Sequence, residues 1–213
     1  MTFLITRPDY DTATRYLSCW SEEIIEEAKS KGRRVIDLKG EKVTKKELTG
    51  RIKKLKPSLI VLNGHGSEDS IAGQDGNLLI KSGENEDLLH SSLTYAVSCC
   101  SGKTLGPKIV EKENTTFIGY DDDFAFTSNK KYLSQPLKDK MAQPFMEASN
   151  HVVISLLKGH KAIDASNRSK EMFERNYKQL LSSEADSDSL QSARCLWWDM
   201  FHQVCLGNTE ATI

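Results

Sequence analysis

Short runs of consecutive apolar residues alternate along the chain with longer stretches in which apolar positions recur every three to four residues. That alternation predicts a parallel β-sheet covered by helices. Phe3 to Thr6 opens as a strand, and Trp20, Ile24, Ile25 and Ala28 recur at helical spacing from Thr12 to about Lys31, where Gly32 gives a stop. Arg34 to Leu38 reads as a second strand. Thr44, followed three residues later by Glu47, is a capping-box signature for a helix through Lys54, which Pro57 ends. Ser58 to Leu62 forms a third strand whose unbroken apolar run, Leu59 to Leu62, predicts burial on both faces at the centre of a sheet.

Glycines then crowd one region, at positions 64, 66, 73, 76 and 83, and Asp75-Gly76 between Ile71 and Leu78 to Ile80 predicts a small β-hairpin. Leu93 to Ser98 reads as strand four, Thr104 to Lys112 as a short helix and Thr115 to Tyr120 as strand five. Asp121, Asp122 and Asp123 follow directly. A long helix carries Met141 to Leu157 and ends at Gly159, a second spans Ala162 to Leu181, and a last one carries Leu190, Leu196, Trp197, Phe201 and Val204. The Ser- and Asp-rich stretch from Ser182 to Ser189 between the last two reads as a loop. At 213 residues, with no internal repeat, the pattern predicts one domain, 1–213, of three-layer α/β architecture.

Charge and cysteine content narrow the functional class. Lys and Arg number 29 against 30 Asp and Glu, a formal net charge of -1, so the basic footprint that neutralises nucleic-acid phosphates is missing. No apolar run approaches the ~18 residues of a membrane span, and Met1 to Tyr10 lacks a signal-peptide layout. Cys19, Cys99, Cys100, Cys195 and Cys205 are odd in number and lack zinc-type spacing, which predicts free thiols in a reducing, cytoplasmic compartment.

In open α/β sheets function gathers beyond the carboxyl ends of the strands. Strand three runs into Asn63-Gly64-His65-Gly66-Ser67, and strand four runs into Cys99-Cys100-Ser101-Gly102. If the two strands are parallel neighbours, an imidazole and a thiol meet at one sheet edge, as in a cysteine nucleophile with its base. Only a thiolate attacks, a free thiol of pKa ~8.5 is mostly protonated at neutral pH, and an imidazole can take that proton. The Gly66 N–H offers an oxyanion donor, and a helix starting near Lys103 is expected to favour the Cys99 thiolate with its positive end. Cys100 competes with Cys99 for the nucleophile role, because an alternating strand points the two in opposite directions.

At these residues the chain resembles the caspase-like cysteine peptidases, whose members share an apolar strand ending in His-Gly and a second strand ending in Cys-Xaa-Ser/Thr-Gly. Leu59 to Gly66 and Val97 to Gly102 carry that likeness here and register Cys99 as the nucleophile. Phe117 to Asp123, Phe145 to Ala148, Leu156 to Gly159 and Trp197 to Phe201 extend it toward separases and CHAT domains. The resemblance implies a caspase-like fold with a mostly parallel sheet and helices on both faces. It also implies a cysteine endopeptidase without cofactor or catalytic metal, working through a Cys99–His65 dyad with no obligatory third member, and with Gly66 and Cys99 N–H groups as the oxyanion hole.

By the same resemblance, Asp121, Asp122 or Asp123 selects a basic side chain before the cleaved bond, since a partly desolvated carboxylate pairs well with guanidinium or ammonium. A solvated loop or a calcium site of oxygen ligands are the alternatives for these three residues. Val97 stands where clostripain and metacaspases carry an additional Asp. The expected partners are a protein or peptide substrate and a regulatory protein, with no nucleic acid and no membrane. The alternative function is a signalling or scaffold module that binds a partner peptide without cutting it. Trp197, Trp198 and Phe201 are expected to pack in the interior, and Cys19, Cys195 and Cys205 to lie in amphipathic helices.

Overall fold

In the computed structural model, which describes residues 1–182 and 187–213, the sheet has six strands in the order β2-β1-β3-β6-β7-β8. These are β1 (Thr2–Arg7), β2 (Arg34–Lys39), β3 (Leu59–Asn63), β6 (Leu93–Val97), β7 (Thr116–Tyr120) and β8 (Gln203–Gly207). All neighbours run parallel except β8, which pairs antiparallel with β7. The small hairpin of β4 (Ser70–Ala72) and β5 (Leu78–Lys81) turns through Asp75 and Gly76, both at positive φ, as the Asp-Gly pair predicts.

Helices cover both faces. One face buries Phe3, Ile5, Val61 and Tyr95 under Tyr16, Trp20 and Ile24 of α1 (Thr12–Ser30) and Met146, Val153 and Leu157 of α4 (Gln143–Leu157). The other buries Leu4, Ile60, Leu62 and Phe117 under Leu48 and Ile52 of α2 (Lys45–Leu55), Leu105 and Ile109 of α3 (Leu105–Ile109) and the hairpin. With apolar side chains leaving water on both faces, Leu59 to Leu62 is buried throughout. The helices α5 (Ala162–Ser182) and α6 (Ser187–His202) pack outside α4 through Phe145, Phe173 and Leu196. Residues 183–186 of the expected Ser/Asp-rich loop lie outside the described residues.

The chain's end departs from the helical pattern. The last helix stops at His202, and Val204 and Cys205 lie on β8, where the backbone pairs with Ile118 and Gly119 instead of continuing a helix. Trp197 and Phe201 do not enter the interior. They stand 43% and 64% exposed and stack on each other with ring centroids 5.4 Å apart, left open to solvent by the described residues. Among the described residues, no helix is long and apolar enough to cross a membrane. All five cysteines are free thiols.

Candidate active site

The parallel register decides which loop residues meet. Asn63 is paired with Val97, so β3 and β6 leave the sheet at the same level, and His65 and Cys99 each follow two residues later. Two close approaches then lock the loops. Gly64, at φ +154°, passes so near the hairpin that a Cβ there would sit 2.1 Å from the Ala72 carbonyl oxygen. Gly66 lies against the loop that carries Cys99, where a Cβ would be 2.5 Å from the Cys99 carbonyl oxygen. Only glycine fits either place. The Ala72 N–H donates to the His65 carbonyl at 2.8 Å, and the Glu68 carbonyl accepts from Thr104 and Leu105, tying the two loops together.

His65 and Cys99 line one narrow cleft, of about 70 Å³, with Ala13, Leu17, Val97, Phe124 and Phe126. The thiol faces the Phe124 carbonyl at 4.0 Å. Cys100 adopts the left-handed region, at φ +58°, which turns its sulfur out of this cleft and toward the Asp123 carboxylate at 3.6 Å. Among the described residues, neither the Gly66 nor the Cys99 amide donates to an internal acceptor.

The structure adds a residue the sequence reading lacks. His65 Nε2 is 2.5 Å from Asp11 Oδ2, and the His65 and Tyr10 rings meet in a T-shaped arrangement with centroids 6.0 Å apart. Asp11 also caps α1, accepting from the Thr14 N–H at 2.8 Å. Strand order reverses between β1 and β3, so the segment after β1 and the segment after β3 face one crevice, and this places Asp11 beside His65. Partial burial alone would raise the Asp11 carboxyl; the Thr14 N–H and His65 outweigh it and hold the group below its ordinary value. An acid fixed in this way holds the imidazole in one orientation and selects its tautomer.

The resting thiol is not activated. Burial pushes Cys99 up to about 11; the Phe124 carbonyl contact opposes that rise, and the nearby Asp123 carboxylate adds to it. The expected help from a helix end does not arise. The segment from Cys99 to Thr104 is turn, and α3 is a five-residue helix that starts at Leu105. Cys100 is raised as well, by burial and then by Asp123.

The three aspartates sit beside the Cys99–Cys100 loop and make different contacts. Asp121 pairs with His202 Nδ1 at 2.8 Å, and the Asp122 carbonyl accepts from the Cys100 N–H while its carboxylate accepts from the Asp123 N–H. Asp123 is exposed, and its carbonyl accepts from Trp198 Nε1 at 3.1 Å. Cys100, Asp122 and Asp123 bring three potential metal-ligating atoms within 4.8 Å of one another. Asp199 of α6 is fully buried; one oxygen accepts from the Ala125 N–H at 2.9 Å, and the other has no partner among the described residues.

No protein-family model matches the sequence, and no curated protein matches it at a significant level. Solved structures do share its fold. The Arg-specific cysteine proteinase gingipain R (RgpB) superposes with a TM-score of 0.60 at 14% identity, covering 100% of this chain and 47% of that one. A complex of the pro- and mature domains of Porphyromonas gingivalis RgpB gives 0.57 at 12% identity, covering 100% and 48%. The architecture is thus the caspase-like α/β fold, and the chain spans about half the length of these structures.

Proposed function

We propose that the chain is a cysteine endopeptidase in which Cys99 is the nucleophile, His65 the proton carrier and Asp11 the residue that orients His65. The observation that carries this reading is the shared cleft of His65 and Cys99, with Asp11 bonded to the imidazole at Nε2. His65 takes the thiol proton as the sulfur attacks the peptide carbonyl carbon, and the Gly66 and Cys99 N–H groups receive the carbonyl oxygen's growing charge. The intermediate collapses to a thioester as the leaving amine takes the proton from His65. Water, deprotonated by His65, then attacks the thioester and releases the acid and the free thiol.

The side chain before the cleaved bond is basic in this proposal, attracted by the carboxylates of Asp122 and Asp123 next to Cys100; Asp121 is already engaged by His202. Gingipain R is itself described as Arg-specific, which supports the same preference here. Free thiols at all five cysteines support a cytoplasmic setting. One observation favours the second reading, a module that binds a peptide without cutting it: the thiol is held at about 11 in a cleft with room for about two water molecules.

Reporter peptides with Arg, Lys, Asp or Asn before the scissile bond separate the two. The peptidase reading expects cleavage after Arg and Lys that Cys99→Ala and His65→Ala abolish. Cleavage surviving in those variants ends the assignment, and peptide binding without cleavage by the unaltered chain transfers it to the binding module.

A further inference from the structure

The cleft is too small for an arginine or lysine side chain, and Phe124 and Phe126, on either side of Ala125, line one wall of it. That segment has no regular secondary structure and is held from two sides. From α6, Trp198 donates to the Asp123 carbonyl at 3.1 Å and Asp199 accepts from the Ala125 N–H at 2.9 Å. From the nucleophile loop, the Cys100 N–H donates to the Asp122 carbonyl at 2.9 Å. Phe124 and Phe126 line the cleft, and Asp199 meets the main chain between them from the other side.

Asp199 is an anomaly in this wall. It is 0% exposed, it has no cationic partner, and its Oδ2 has none at all among the described residues. A buried carboxyl left half satisfied costs stability, so the fold alone gives no reason for an acid at this position. Position supplies one. Cys99 Sγ is 4.0 Å from the Phe124 carbonyl oxygen, and the Ala125 nitrogen of the same peptide group is 2.9 Å from Asp199 Oδ1. With one peptide group between those contacts, the carboxyl lies no farther than about 9 Å from the sulfur. An arginine or lysine stem, extending from a carbonyl held at the sulfur, bridges that interval.

We infer that Asp199 is the specificity-determining acid that receives the basic side chain before the scissile bond, and that the resting 124–126 segment stands in front of it. Displacing Phe124 and Phe126 joins the cleft to Asp199, and the guanidinium or ammonium supplies the partner that Oδ2 lacks. Asp122 and Asp123 then act from beside Cys100, where solvent weakens their pull. The inference rests on the peptidase-site reading for the location of the substrate carbonyl.

The test is equilibrium binding, so it does not depend on turnover. Cys99→Ala protein is titrated calorimetrically with a peptide carrying Arg before the bond and with its citrulline counterpart, which is neutral and nearly isosteric. Arginine is expected to bind at least ~10-fold more tightly, and Asp199→Asn, which keeps the acceptor for Ala125, is expected to bring the ratio close to one while Asp123→Asn leaves most of it. An Arg-to-citrulline ratio near one in the Cys99→Ala protein, a ratio that survives Asp199→Asn, or no binding of either peptide overturns the inference. A ratio that behaves as expected, with no cleavage by the Cys99-intact chain, retains the Asp199 pocket and rejects only the peptidase chemistry.

Discussion

Asp11 has two duties that substitution can separate. Its Oδ2 lies 2.5 Å from His65 Nε2, and its Oδ1 caps α1 through the Thr14 N–H. Asparagine caps a helix about as well as aspartate, so Asp11→Asn keeps the cap and removes the charge facing His65. Hydrogen bonds to charged groups contribute ~1.5–3 kcal/mol. The side chains of Asp11 and His65 are 36% and 47% exposed, so water competes and the lower end applies. A loss of about 1.4 kcal/mol in the transition state corresponds to ~10-fold in kcat/KM.

Asp11→Ala loses the cap as well, at ~1 kcal/mol, which lowers Tm by roughly 2–4 °C for a chain of this size. Peptide hydrolysis and thermal unfolding of the two variants make the assay. Asp11→Asn is expected to lose rate with its Tm nearly unchanged, and Asp11→Ala to lose both. The sign with pH is fixed by the lowered carboxyl: its ionised form adds stability above the unfolded pKa of ~3.9, and that contribution disappears as pH falls through the lower folded value. Unaltered kcat/KM in Asp11→Asn, or equal loss of Tm in both variants, refutes this division.

A thiol raised from 9.0 to about 11 predicts that alkylation of Cys99 by iodoacetamide is ~100-fold slower at neutral pH than that of a free cysteine, rising ~10-fold per pH unit up to pH 10. A plateau below pH 8 would show a thiolate already formed at rest. Gly66→Ala forces the two loops apart by placing a methyl 2.5 Å from the Cys99 carbonyl oxygen, and a displacement near 1 Å costs ~100-fold in kcat/KM. Gly50→Ala, in α2 with open space around it, serves as the control and is expected to raise stability by ~0.5–1 kcal/mol with unchanged activity.

Much of the architecture is written in local pattern. The apolar run from Leu59 to Leu62 marks a central strand, and the His-Gly and Cys-Cys-Ser-Gly segments mark the two strand ends that the register of β3 and β6 brings level. What escapes local pattern depends on distant partners. Gln203–Gly207 continues the apolar spacing of α6, and only its pairing with β7 makes it a strand. The 3.6-residue period places Trp197 and Phe201 on one side of α6, but it carries no information on whether another element covers that side.

Asp11 is unremarkable until β1 is known to neighbour β3, although an Asp three residues before Thr14 at a strand-to-helix junction is a readable capping signal. Phe124 and Phe126 belong to an irregular segment with no period to betray which way they face. The protonation of Cys99 follows from burial, a property of the folded chain that outweighs the short turn and helix after it.

Covalent trapping at the sulfur tests the central claim most directly. Incubation with a peptidyl acyloxymethyl ketone carrying Arg, followed by intact mass and peptide mapping, is expected to give one adduct per chain, on Cys99, lost in His65→Ala and retained in Cys100→Ala. An adduct on Cys100, labelling of Cys99 that is indifferent to His65, or no adduct on the unaltered chain contradicts it.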